Sequence, residues 1–391
     1  MEMLRLFKWL IASCALLGLT ISLMSCGGSD SPAATGTLDI KLTDDATNQY
    51  QAVYVTIDEV HVHHETGGWE TLSELDLPQT VNLLELVNGV MLDLGIVQLQ
   101  AGHYNQMRLI LEDSEGAPAP QDPPDNNILG KPHPYFNYLV EVDDKETLLK
   151  VPSGGNTGIK LVSGIDIIAD QANELVLDFD AHRSIVTKGN GDFGLKPTIK
   201  VLATVDNSVS GRVVVEVDNT PTPLEDAFVS AQLYTPPTDG LDPKDEVIVE
   251  STTTTASDGT YTLLLPLNTY NIVATAAGYL PACQVLEAEW YFANDPADFD
   301  LVAETEPGIN LNITVSGLDT VEDIAHLSFR QTKDCGEGDV IIEVAFMNVT
   351  NGNYPLITLP AGTYDLVVSA QDKITKVISD INGDMTLNIS F

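Results

Sequence analysis

The chain has 391 residues, of which 57 are acidic and 18 are lysine or arginine, for a net charge of −39. Charge of this sign and size repels phosphate backbones, so nucleic acid is excluded as a partner, while solubility and cation binding are favoured. An apolar content of 43% argues against disorder, and the length exceeds what one hydrophobic core of ordinary size serves, so two or three domains are expected.

Arg5 and Lys8 precede an uncharged, mostly apolar run from Trp9 to Met24, followed at once by Ser25-Cys26-Gly27. The run is short for a membrane-spanning helix and has the basic, apolar, small order of a secretory signal. Leu23-Met24-Ser25-Cys26 resembles a bacterial lipobox, which implies cleavage before Cys26 and lipid on its sulfur. Cys14 offers a second such pattern, but cleavage there would discard only part of the apolar run. Several acyl chains on one cysteine, at about 0.8 kcal/mol per buried methylene, anchor a protein firmly. Gly27 in place of aspartate resembles an outer-membrane sorting signal, so the expected location is the cell envelope, lipid-anchored, with the membrane as first partner. Residues 26–35, small and without apolar periodicity, read as a flexible tether.

Strand signals then fill the chain. Leu38, Ile40 and Leu42 alternate on one face of "TLDIKLT", and "GRVVVEV", "YNIVATA", "YDLVVSA" and "MTLNISF" are rich in β-branched and aromatic residues. Asn190-Gly191, Asp258-Gly259 and Asn382-Gly383 punctuate them as turns. Only "NLLELVNGV" and "DTVEDIAHL" have the pattern of short helices. A phrase recurs three times, "LQAGHYNQM", "LPLNTYNIV" and "LPAGTYDLV", placing Tyr104, Tyr270 and Tyr364 at the start of alternating strands. The reading is all-β: three tandem β-sandwich modules of immunoglobulin-like or transthyretin-like type, over residues 36–205, 206–303 and 304–391.

Candidate sites are few. In "IDEVHVHHETGGW", His61 and His63 share one strand face and, with His64 and Glu65 nearby, offer ligands for Zn²⁺ or Cu²⁺. The phase of the apolar residues changes between Ile57 and Val60, which predicts a bulge at Asp58-Glu59 and puts Val60 and Val62 in the core with His61 and His63 toward water. Asp178 and Asp180 in "LDFDAHRS" share a strand face beside His182 and Arg183, and read as a strand-end network with Arg183 or backbone amides. Asp239, Asp242 and Asp245, with Glu246 and the acids of "NDPADFD", offer Ca²⁺ ligands without EF-hand spacing. Beyond the signal region the cysteines are Cys283 and Cys335. In an exported protein they are candidates for one disulfide, closing a loop of about fifty residues for about 3 to 4 kcal/mol.

Two resemblances add to this reading. "VSGRVVVEV", "PLEDAFVSAQL" and "SDGTYTLLLPLNTYNIVATAAGYLP" resemble the carboxypeptidase regulatory-like domain, which implies a transthyretin-like sandwich without peptidase chemistry over residues 206–303. "GTLDIKLTDD", "YVTIDEVHVH", "LQAGHYNQMRLIL" and "LVLDFDAHRSIV" follow in an order that resembles a bacterial family of domains of unknown function found just after a lipobox, over about residues 36–205. That resemblance implies location and no catalytic residues. With no phosphate loop, dinucleotide fingerprint or Gly-x-Ser-x-Gly, the expectation is a non-catalytic adhesion, glycan-binding or envelope scaffold protein without a cofactor. The alternative is a metal-binding protein or metal-dependent enzyme using His61 and His63.

Overall fold

The computed structural model describes residues 33–112, 126–151, 158–161, 164–202, 208–288 and 296–391. Cys26, the expected lipidation site, lies outside these residues. The fold is all-β, with strands arranged around three large hydrophobic cores among the described residues, whose members come from residues 38–195, from 209–301, and mainly from 309–389, and a small fourth cluster of Ala52, Tyr54, Tyr138 and Val140.

The first unit begins with Thr35–Asp45, whose alternation buries Leu38, Ile40 and Leu42. It lies parallel to Ala172–Asp180, and Leu92–Gln100 and Ile199–Leu202 complete a four-stranded sheet. Facing it is Ala52–His64, which pairs along one edge with Tyr138–Val140 and then Gly102–Leu111, and along the other with Gln79–Asn82 and Gly68–Thr71. The expected bulge is present as a register shift between Ile57 and Glu59, and it turns Val60 and Val62 into the core. The helix expected in "NLLELVNGV" shrinks to one 3₁₀ turn, Leu83–Glu85. Asn88 and Gly89 both take positive φ, 59° and 75°, which a continuing helix cannot accommodate.

The second unit is a sandwich of two four-stranded sheets. One is built on Ser208–Val217, and the other runs in the order Val247–Thr254, Phe228–Tyr234, Thr269–Thr275, Ala282–Glu287. In the third, the 21-residue strand Asp339–Leu359 pairs first with Ala325–Asp334 and then with Ile309–Ser316. One strand thereby serves both faces of the core, the usual way of making a sandwich corner. The helix expected in "DTVEDIAHL" is a polar turn leading into Ala325–Asp334, with the Thr320 N–H donating to the Asp323 carboxylate at 2.8 Å. Such local side-chain bonds compete with helix formation.

A strictly tandem arrangement does not describe how these units join. Ile185–Gly189 of the first unit runs parallel to the middle of Asp339–Leu359, so a sheet of the first unit continues into the third past the intervening sequence. Val273 of the second unit belongs to the third unit's core, and Cys283 and Val285 pack against it.

Candidate functional site

The histidine strand is seen first in its own hairpin. His63 and His64 of Ala52–His64 pair with Trp69 and Gly68 across the turn. The His61 Nε2 lies 2.6 Å from Glu59, while the His63 Nδ1 lies 2.9 Å from the Asn105 side-chain oxygen and its ring meets Trp69 edge-on at 5.0 Å. His64 packs against Tyr104. Glu65 is exposed on the turn. Among the described residues no three histidine, cysteine, aspartate or glutamate side chains form a group that could hold a metal ion. His61, His63 and Glu65 are thus not brought together as ligands, because each imidazole is turned to a different neighbour.

The acidic loop has its own cation. The Lys244 Nζ lies 2.9 Å from Asp242 and 3.4 Å from Asp245, and Asp242 also accepts the Lys244 N–H at the start of a 3₁₀ turn. Asp239 stands apart, one residue before Gly240. Among the described residues Asp239, Asp242 and Asp245 form no group that could hold a metal ion, and Asp295 lies outside the described residues. Cys283 and Cys335 form a disulfide, Cα atoms 5.0 Å apart, joining the second unit to the third. The Val285 N–H donates to the Cys335 carbonyl beside it at 3.0 Å.

The site that sequence reasoning missed is the place where all three units meet. Asp180 accepts the Arg183 N–H at 2.8 Å and caps the four-residue helix Ala181–Ser184. The Arg183 guanidinium reaches the Glu343 carboxylate at 2.7 Å and lies 4.0 Å over the Phe346 ring. The other Glu343 oxygen accepts from the Ser328 hydroxyl at 2.6 Å. Gln232 of the second unit bonds both the Glu343 N–H and the Glu343 carbonyl, at 2.8 and 2.7 Å. One buried glutamate therefore holds Arg183 of the first unit, Gln232 of the second and Ser328 of its own. Arg330 extends the network, donating to Ser328 and to the carbonyls of Pro243 and Lys244. Each of these side chains has a protein partner, so the network ties the units together.

Beside it opens a cleft of about 520 Å³, within the range of small-molecule sites. Phe228, Phe346, Tyr354 and Leu356 supply apolar walls, and Asn48, Gln49, Lys188 and Asn353 supply polar edges. The His182 ring lies 5.1 Å from Phe228 and 5.7 Å from Phe346. Burial, assisted by the Arg183 charge, pushes its imidazole down to about 3, so it stays neutral. Leu356 is 75% exposed and has φ 60°, a conformation that a bulky side chain rarely takes. The only early signal of this junction was "DAHRS", whose basic residues were visible but whose partners lie 160 residues away for Arg183 and Glu343.

Residues 35–197 match the family DUF4382, a domain of unknown function. The match covers most of the first unit and agrees with the resemblance seen in its strand phrases. No curated protein matches the chain. Among solved structures, the Bacillus anthracis TIE protein is 13% identical over 92% of this chain, with a TM-score of 0.18. The chain spans about half of that protein's length, 51%. The shaft pilin SpaA of Lactobacillus rhamnosus GG is 14% identical over 47% of this chain and 98% of its own, with a TM-score of 0.21. The minor pilin GBS52 of Streptococcus agalactiae is 13% identical over 47% of this chain and 94% of its own, with a TM-score of 0.16. At such scores the likeness carries no argument about this chain.

Proposed function

We propose that this protein is a non-catalytic binding scaffold of the cell envelope, anchored through a lipid on Cys26 and presenting the junction cleft to an envelope glycan. The single observation that carries the reading is the Glu343 node, which ties side chains of all three units into one network. A joint built this way holds a surface in fixed shape, and preorganisation reduces the entropic cost of binding. The exposed, left-handed Leu356 at the cleft wall supports the same reading. The aromatic and aliphatic wall suits the apolar face of a sugar ring, and the amide side chains suit its hydroxyls. The resemblance of the second unit to the carboxypeptidase regulatory-like domain, an add-on without peptidase chemistry, is in keeping with a non-catalytic role.

The test is co-sedimentation of the full chain with insoluble peptidoglycan and thermal shift with soluble envelope polysaccharides, repeated with Leu356→Gly and Phe346→Ala. Retention weakened at least tenfold in both variants is expected, since each removes one wall of the cleft. No retention by the unmodified protein, or retention indifferent to both changes, sinks the binding reading. Fractionation of Cys26→Ser tests the anchor, which predicts release from the membrane.

A further inference from the structure

The parallel strands Thr35–Asp45 and Ala172–Asp180 end together on acids, with Asp45 opposite Asp180 in register. Asp44, Asp45, Asp178 and Asp180 are all at most 5% exposed. Four carboxylates buried at the ends of two paired strands demand counter-charge, because desolvating an unpaired ion costs several kcal/mol. Among the described residues the positive groups facing them are Lys200 on the neighbouring strand, 3.5 Å from Asp45, and Arg183, whose guanidinium is committed to Glu343. Glu250 of the second unit adds a further negative charge near Asp178 and Lys200. Most of the negative charge is uncompensated.

Two observations identify what compensates it. The Asp44 Oδ1 accepts the Ala181 N–H at 3.0 Å, but its Oδ2 is buried with no hydrogen-bond partner among the described residues, which costs a charged carboxylate far more than a neutral acid. The cavity lined by Asp44, Asp45, Asp178, Asn88 and Thr252 has about 10 Å³, the lower limit for one water. No three acidic side chains converge on a metal position among the described residues. The proton is the counter-ion that fits.

The cluster also sits on a seam. Asp45 accepts the Thr252 N–H at 2.6 Å, the Thr252 hydroxyl donates to the Ala46 carbonyl at 2.9 Å, and Asn88 bonds Thr253, Thr254 and Thr262. Every one of these contacts joins the first unit to the second. We propose that the cluster is a proton-operated latch between the first and second units, closed while Asp44, Asp178 and Asp180 hold protons and loosened when they release them to solvent. The electrostatics agree. Burial above all, with neighbouring acids, raises Asp44 and Asp178 well above the carboxylate range, although the backbone bond to Asp44 and Lys200 beside Asp178 oppose the rise. Burial and then the Asp45 charge raise Asp180 to about 7, against the pull of Arg183 and Lys200. Burial pulls Lys200 down, but the surrounding acids outweigh it and hold it above its usual value. For groups raised by folding, stability is complete below the unfolded carboxylate range and is lost as pH rises through the folded values.

Hydrogen exchange on the full chain in detergent tests this at the Thr252 and Ala181 amides, compared at about pH 5.5 and about pH 8 after correction for intrinsic rates. Protection is expected to fall about tenfold or more at the higher pH. Asp44→Asn and Asp178→Asn, which place an amide where the acid proton would be, should keep protection at both values. Because either variant could misfold, infrared spectra of the unmodified protein provide a second readout: a protonated-carboxyl band near pH 6 is expected, vanishing toward pH 8. Absence of that band, pH-independent protection, or restoration of protection at pH 8 by Ca²⁺ overturns the latch.

Discussion

Gly189 and Gly352 lie face to face where the first unit's strand joins the third unit's: a Cβ on Gly352 would fall 2.3 Å from the Gly189 Cα, and one on Gly189 would fall 2.6 Å from the Gly352 Cα. The two residues are partners in the parallel pairing itself. Neither position can carry a side chain without parting the strands, because the obstructing atoms are backbone. Gly352→Ala and Gly189→Ala should each cost about 1 to 3 kcal/mol. Urea unfolding should show the loss, and Gly191→Ala makes the contrast, since it has open space around it and only an unfavourable φ of 84° to overcome.

The threefold phrase of the sequence has one physical meaning. Tyr104 donates its hydroxyl to the Gln100 carbonyl at 3.1 Å, Tyr270 to Pro266 at 3.0 Å and Tyr364 to Pro360 at 2.9 Å. In each case a buried ring pins the chain four residues upstream, the arrangement of a tyrosine corner. Tyrosine to phenylalanine at any of the three should destabilise by about 1 kcal/mol, the usual worth of a hydrogen bond whose partner can still find water. A measurable loss at one position with none at the other two would show that the copies are not equivalent.

Arg183→Met leaves the Glu343 carboxylate, 6% exposed, without its cation. Breaking a buried pair costs about 3 to 5 kcal/mol, and the partial exposure of Arg183, 24%, reduces the expectation to about 2 kcal/mol. The double variant Arg183→Met with Glu343→Gln should recover part of that loss. A double-mutant cycle with no coupling would remove Glu343 from its place as the common node.

His182 and the aspartate cluster act on stability with opposite sign. The imidazole is pushed down to about 3 when folded, from 6.5 otherwise. The unfolded chain therefore binds the extra proton first, and stability is lost as pH falls from about 6.5 toward 3. His182→Phe should flatten the acid limb of the stability curve while leaving the alkaline limb to the aspartates. Equal acid sensitivity in the variant would contradict the assignment.

Reduction of Cys283–Cys335, which closes 52 residues of sequence, should lower stability by about 3 to 4 kcal/mol. The bond spans two units, so limited proteolysis after reduction should cut between them sooner than within either.

The sequence by itself determined what depends on neighbours along the chain. The strand faces of Leu38, Ile40 and Leu42, the bulge before Val60, and the cysteine pair could be read because side-chain alternation, turn residues and compartment chemistry are local or compositional signals. Helix patterns failed at Asn88-Gly89 and at Thr320-Asp323, where the backbone and short polar side chains favoured turns. His61 and His63 looked like ligands because spacing gives the face but not the direction of each ring. What only the tertiary structure decided is the junction: Arg183 meets Glu343, Gly189 meets Gly352, and Asp45 meets Thr252, across 160, 163 and 207 residues. No periodicity links such partners. Their meeting is set by three cores packing together, and packing couples residues by distance in space, whereas a single sequence records only distance along the chain.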